Sequence, residues 1–440
     1  MVKSWCLGGS QLHMCTARPG WMAVSLRVGK YKKTMKNIRV NLVDVLGVDT
    51  EQRIVRVEPL ATMGQITATL NPLGWTLPIV PELDDLTVGG LIMGVGIETS
   101  SHKYGLMQHV CEAFELVLAD GRHVRCSKTE NPDLFYAVPW SHGTLGFLVA
   151  AEIRIIPVKK YVKLRYEPST NMAQLAEKVK DASKPEAGND FVEMLAFSAN
   201  TGVLMTGVLT DDAEADKINS ISHYYKPWFY RHVESFLKKG PGVEYIPLRH
   251  YYQRHVRSIF WQLQDIIPFG NNVVFRLLFG WMVPPKISLL KLTQGQTIKN
   301  MYEKYQIIQD MLVPMSRLED AMQQFYNEIN MYPLWVCPFL LPNNPGFVHP
   351  KKGFDEMYVD IGAYGAPTTP HYHNVETTRR IEAYVRSVHG FQMLYADSFM
   401  TREEFHQMFD HRLYNKMRKQ LCCQKAFPEV YDKVSRKARI

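Results

Sequence analysis

The stretch Leu70–Gly105 reads LNPLGWTLPIVPELDDLTVGGLIMGVGIETSSHKYG. It is too rich in Gly and Pro for a regular element and reads as an ordered loop. Gly89, Gly90, Gly94 and Gly96 crowd into TVGGLIMGVG. Glycine is used where φ is positive or where backbone must approach a ligand closely. Bare N–H groups in such a loop can cradle a diphosphate without a helix dipole. A bulge or tight packing accounts for a glycine cluster equally well, so the flanking sequence has to decide.

Upstream, residues 40–60 alternate in the strand manner, with a turn at Asp49–Gln52, and Thr62–Leu73 reads as a short helix stopped by Pro72 and Gly74. Downstream, Ala113–Ala119 and HVRC are strands around an Asp120-Gly121 turn, and Phe147–Ile156 is another strand, ended by Pro157. The strand-rich pattern stops near Pro157–Lys160. Beyond it, Ala173–Ser183, Val313–Asn327, Thr377–His389 and Glu403–Cys422 read as helices. Phe191–Leu209 reads as a hairpin turning at Asn200-Thr201-Gly202, and Glu356–Tyr364 as a strand. The whole is α+β, in two lobes.

The 440 residues, 46% of them hydrophobic and 21% charged, are enough for two or three folding units with sizeable cores. A net charge of +8 does not by itself argue for nucleic acid, and no RNA or DNA motif accompanies it. The basic run over 23–39 suits phosphates, anionic lipid or simply solvent. Seven cysteines at irregular spacing, with no C-x-x-C and no N-x-S/T acceptor, suggest reduced thiols facing the cytosol. Leu134–Ala151 and Ile329–Pro350 are long and apolar, but their prolines and glycines argue against spanning helices. Asn272–Pro285, with Trp, Phe and Leu around Arg276, suits either an interfacial segment or buried core. There is no P-loop, no G-x-G-x-x-G, no H-E-x-x-H and no G-x-S-x-G. His371 and His373 lack a third ligand nearby in sequence, so no metal site is expected.

Five motifs lie in order around the glycine window. They are Leu70–Glu82, Ser101–Gly105, Glu115–Gly121, Glu130–Val138 and Gly143–Val149. Together they resemble the flavin-binding domain of the p-cresol methylhydroxylase / vanillyl-alcohol oxidase superfamily, over roughly residues 15–158. Further stretches are similar to the sterol side-chain reductases within that superfamily, from about Met14 to the C terminus. Among them are KYKKTMKNIRVNLVD, EYIPLRHYY, DIIPFGNN, FGWMVPPKISLLKLTQG, DIGAYG, RSVHGFQMLYAD and FPEVYDK.

The resemblance implies a two-lobed FAD-binding domain over 1–158 and an α+β substrate cap over 159–400. A helical segment, 401–440, is expected to pack back on the flavin domain. The superfamily's opening helix and strand, and the membrane helix of its sterol-reductase branch, have no counterpart in residues 1–13. The first subdomain is therefore expected to be incomplete. Carried over residue by residue, Pro81, Glu82, Thr87, Gly89, Gly90, Gly94 and Gly96 should line the FAD diphosphate and ribityl chain, with Ser101, Tyr104 and Gly105 on the same surface. Gly143, Gly146, Phe147 and Leu148 should lie by the adenine, and Gly74, Trp75, Leu77 and Pro78 should form the approach. The counterpart of the covalent-tether loop, Cys15–Trp21, has no His, which implies non-covalent FAD.

The resemblance also implies NADPH-driven reduction of the sterol C24–C25 double bond, in sterol biosynthesis at the endoplasmic reticulum membrane. An isolated alkene is a poor base, so the protonated carbon needs a positioned acid. Tyr395 is the first candidate and Lys291 the second; a core tyrosine is the plainer account of Tyr395. Glu98 and His102 border the flavin loop and serve equally well as structural partners. The alternatives are a flavin oxidase of the same superfamily and a sterol-binding protein that no longer holds flavin.

Overall fold

The structure is a computed structural model, and it describes residues 1–8, 12–19, 22, 30–283, 305–370 and 372–439. Two antiparallel sheets organise it. The smaller has five strands, in the order Val45–Asp49, Ile54–Val57, Phe147–Arg154, Cys111–Val117 and His123–Ser127. Local chemistry sets its turns. The Asp49 carboxylate accepts from the N–H groups of Glu51 and Gln52, and Gly121 takes φ +81° between the second pair of strands. The helix Met63–Leu70 starts from a capping box between Thr62 and Gln65 and ends through Asn71–Leu73 at Gly74, in the left-handed region.

The larger sheet has eight strands. Their order is Gly242–Pro247, Tyr161–Ser169, Gly202–Thr210, Phe191–Ala196, Leu334–Leu341, Glu356–Gly365, Ile307–Pro314 and Phe391–Gln392. The helices Met172–Ala182, Leu318–Glu328 and Asn374–Ser387 pack on it through apolar stripes such as Leu175/Val179 and Leu318/Met322/Phe325. The buried apolar residues of both halves form one continuous core. The C-terminal residues lie against 142–148: buried Arg418 donates to the Thr144, Phe427 and Pro428 carbonyls, and Tyr414 shares a hydrogen bond with Thr144.

Three sequence readings differ from the structure, and one strand went unread. The glycine window is not all loop, because Val88–Met93 and Ser101–Tyr104 are short helices within it. Burial of Val88, Leu91 and Ile92 stabilises the first turn enough to offset two glycines. Val313 ends a strand, and the helix begins only at Leu318, after Pro314. Glu403–Cys422 is two helices, Arg402–Met408 and Arg412–Gln420, because Phe409 turns extended to bury its ring. Leu334–Leu341, inside the proline-rich Ile329–Pro350 stretch, is a central strand. Its Pro338 lies beyond Val336, where pairing to Phe191–Ala196 stops, while pairing to Glu356–Gly365 runs the whole length of the strand.

Candidate functional site

A cavity of about 510 Å³ is lined by residues from both halves of the molecule. One wall is the glycine segment. Gly89 N–H donates to the Pro59 carbonyl, which sets the helix Val88–Met93 tightly against the preceding loop. A Cβ on Gly94 would lie 2.7 Å from the Gly90 carbonyl oxygen, and one on Gly96 2.9 Å from Met107 Cβ. Both positions therefore require glycine for lack of room. Gly94→Ala must displace that wall. Purified Gly94→Ala should carry a small fraction of the wild-type flavin, read as the flavin-to-protein absorbance ratio. Gly47→Ala, which meets nothing within 4 Å, should carry the full amount.

Cations gather at the same wall. Arg18 donates to Thr87 Oγ1 at 2.9 Å, and Lys32 donates to the Thr16 and Arg18 carbonyls at 2.9 and 2.7 Å. Lys433 reaches the His142 carbonyl from the C-terminal segment. All four of Arg18, Lys32, His142 and Lys433 line the cavity. Burial lowers the pKa of Arg18 and Lys32 from their ordinary values, the cost of keeping positive charge in a mostly apolar setting. Glu82, in the same wall, is buried beside the Glu98 carboxylate, and burial together with that neighbour pushes its pKa well up. Glycine backbone and three cations suit an extended dinucleotide with one charged middle, so the residues present fit FAD.

The far end of the cavity is apolar: Ile259, Phe260, Ile266, Trp335, Met393 and Leu394 line it. Ile259 and Phe260 both sit at positive φ, 47° and 58°, an unfavourable conformation for such side chains that surrounding packing must hold. Within this apolar end stands a polar unit. The hydroxyls of Tyr364 and Tyr395 donate to the two carboxylate oxygens of Asp310. The pleat of strand Ile307–Pro314 points Ile308 and Asp310 together into the cavity. Burial raises Asp310 to about 6, against the opposing pull of its two tyrosine hydrogen bonds. Tyr395 is pushed well above the usual phenol range by burial and by the Asp310 charge. Asp360, on the adjacent strand, is buried and is also pushed well up, by burial first and by Asp310.

Behind the cavity, a fully buried ionic cluster joins the two halves. Arg254 donates to Glu98 at 3.0 Å and to Glu193 at 2.9 Å. Glu193 also accepts from Trp335 Nε1 at 2.9 Å and faces His255. Glu98 is thus a structural partner. His102, bonded at both ring nitrogens to the Thr99 and Asn189 carbonyls, is another.

Of the residues expected to hold FAD, the cavity wall brings together Pro81, Glu82, Thr87, Gly89, Gly90, Gly94, Gly96, Gly143, Gly146, Phe147 and Leu148. Tyr395 lies across from them, in the same cavity. Gly74, Trp75, Leu77, Pro78, Ser101, Tyr104 and Gly105 are not on that wall. Trp75–Thr76 pairs with Ile156–Pro157, the Pro78 carbonyl accepts from Ser100, and Ser101 Oγ accepts from Glu98 N–H. Lys291 and His371 lie outside the described residues. Sequence reading passed over Asp310, Tyr364, Lys32 and Lys433 as site residues. Asp310 carried a legible signal, a single carboxylate in the apolar run IIQDMLVP. Elsewhere among the described residues, His406, His411 and Glu429 approach within 4.8 Å of one another, but Arg402 pairs with Glu429 and Asp432, so the group is an ion-pair network.

Residues 17–127 match the model of an FAD binding domain. Over its whole length the chain is 65% identical to the Delta(24)-sterol reductase of Rattus norvegicus and 64% identical to that of Homo sapiens, covering 85% of each. It is 43% identical to the Delta(24)-sterol reductase of Pisum sativum, over 96% of this chain and 80% of that protein. The chain belongs to the Delta(24)-sterol reductase family.

Proposed function

We propose that this chain is an oxidoreductase that reduces the C24–C25 double bond of a sterol side chain, with FAD bound non-covalently and NADPH as the reductant. The observation that carries this reading is a single cavity running from the glycine and cation wall to the Tyr395–Asp310–Tyr364 unit. FAD, when bound, supplies hydride to one alkene carbon. The wall Thr87–Gly96 would hold its diphosphate region, and Arg18, Lys32 and Lys433, which line the same cavity, would balance the phosphate charge. The apolar end takes the sterol and excludes water.

Tyr395 gives the proton to the other alkene carbon. A tyrosine alone is too weak an acid here, because its pKa is raised. When Asp310 is protonated, its proton passes to the Tyr395 oxygen as the Tyr395 proton leaves. The charge left behind then rests on a carboxylate that titrates near 6 rather than on a tyrosinate. Tyr364 holds the other carboxylate oxygen and fixes the geometry. The division into a flavin domain to 158, a cap over 159–400 and a returning C-terminal segment, and the placement at the endoplasmic reticulum membrane, belong to the same proposal.

The test begins with an absorbance spectrum of the purified protein before and after denaturation. Near-stoichiometric flavin, released on denaturation, is the expected result. Desmosterol with NADPH should then give the saturated side chain. A protein that stays colourless with added FAD would leave only a sterol binder. Oxygen consumption on an alcohol or lactone without NADPH would point to an oxidase instead.

A further inference from the structure

We propose that the face formed by Phe269 and Val273–Met282 docks on an anionic lipid bilayer, so that the cavity takes its sterol from the membrane. The docking itself rests on the geometry of this face; only the direction of sterol delivery rests on the function proposed above.

The helix Val273–Phe279 and the turn Gly280–Met282 that follows have almost no buried side chains. Leu277, Leu278, Trp281 and Met282 are each 58–66% exposed, and Phe269, Val273, Val274 and Phe279 are exposed beside them. A helix serving the core would bury this stripe. A contiguous exposed apolar surface of this kind marks an interaction site.

The face is held rigidly from behind. Asn272 caps the helix, accepting from Val274 N–H at 2.9 Å. Arg276 donates to the Asn271 and Tyr225 carbonyls, and Asn271 in turn accepts from Trp228 N–H. A Cβ on Gly280 would lie 2.8 Å from the Tyr224 carbonyl, so the turn fits closely on that segment. The apolar side chains are thus presented outward by a hydrogen-bonded base.

Two observations select a bilayer as the occupant. The first is charge. From Ile266 to Val283 there is no Asp or Glu, and Arg276 is the single charge. Arg257 stands at the base, against the exposed Tyr224 ring. Apolar residues rimmed by cations, with Trp281 among them, match the boundary between acyl chains and anionic headgroups. The second is continuity. Gln262 and Ile266 line the cavity, and the chain runs from Ile266 directly into Phe269 and the exposed helix. A sterol partitions into membranes, so this path joins the apolar end of the cavity to the substrate's own solvent. No helix among the described residues is long and apolar enough to cross a membrane, so the face would lie in the interface plane.

The test is flotation of the full chain, as purified with its flavin, on vesicles of phosphatidylcholine alone or with about 30 mol% phosphatidylserine. Wild type should float with the vesicles, more strongly with phosphatidylserine. Leu277→Glu combined with Leu278→Glu should cut binding by about tenfold or more. Unchanged far-UV circular dichroism and flavin content would show that this variant folds. Quenching by bromine-bearing acyl chains, taken as the difference between wild type and Trp281→Phe, should locate Trp281 at the headgroup boundary. Equal flotation of wild type and the double variant, or none by wild type, would overturn the proposal. So would a wild-type dimer that the double variant converts to monomer with no effect on vesicles. None of these readouts involves turnover, so failure of the proposed reaction would not be mistaken for failure of docking.

Discussion

Tyr395→Phe should lower sterol reduction by about 10²–10⁴-fold while flavin content and the rate of flavin reduction by NADPH stay near wild type. The substitution removes one hydroxyl and leaves the ring, so the apolar end of the cavity keeps its shape. What is lost is the hydroxyl bonded to Asp310, the proton donor in the proposed reaction. A core tyrosine would behave differently: its loss would change stability or flavin content and leave the second half-reaction alone. Rapid mixing of reduced enzyme with sterol separates the two outcomes.

The pH profile gives an independent check on the same unit. The acid form of Asp310 is the one that can pass a proton on. Its pKa is raised by burial to about 6, so the sterol-dependent step should slow as pH rises through about 6, in an otherwise intact enzyme. Asp310→Asn should abolish that limb of the profile together with most of the activity. A limb that survives in Asp310→Asn would assign the titration to another group, with the buried Glu82 carboxyl in the cavity wall the first to examine.

Arg254→Ala should destabilise the protein by about 3–5 kcal/mol, measured as a fall in the urea midpoint at unchanged slope. Arg254 is wholly buried between Glu98 and Glu193, and its removal leaves two carboxylates without their counter-charge. Replacing both partners as well, in Arg254→Met with Glu98→Gln and Glu193→Gln, should recover a large part of the loss, because no buried charge is then unpaired. For Glu193, burial works to raise the pKa, but the Arg254 charge and the His255 contact win and hold it at about 2. A depressed carboxylate contributes stability above its unfolded value near 4.5 that is lost as pH falls toward 2. Wild type should therefore weaken over that acid window, and Arg254→Ala, which lacks the lowering charge, should show much less of this dependence.

Much of the flavin half was legible because its signals are local. The Asp49 turn, the Thr62 capping box and the Gly121 turn are each written within a few residues. The alternation of residues 40–60 and 113–127 shows which side chains share a sheet face. The glycine wall could be read as an ordered series of motifs even though its short helices could not, since Gly89 and Gly90 argue against a helix that only burial of Leu91 and Ile92 supports. Leu334–Leu341 was missed for a related reason. A continuous apolar run has no period, so a central strand and a buried helix look alike.

The site divides along the same line. The sequence by itself put forward the backbone wall, Gly89 to Gly96, through the ordered family motifs around it, while the lack of room at Gly89 and Gly96 comes from Pro59 and Met107 in other segments. It also put Tyr395 forward, through the family motif that contains it. Only the tertiary structure decided that Asp310, Tyr364 and Tyr395 form one unit, since the tyrosines lie 54 and 85 residues from the carboxylate they share. Only the tertiary structure brought Arg18, Lys32 and Lys433 from opposite ends of the chain to one wall. It also turned Val273–Met282 outward, where the sequence reading had favoured a buried core segment over a surface one. Electrostatic proximity and burial depend on which segments pack together, and no local pattern in the chain encodes that.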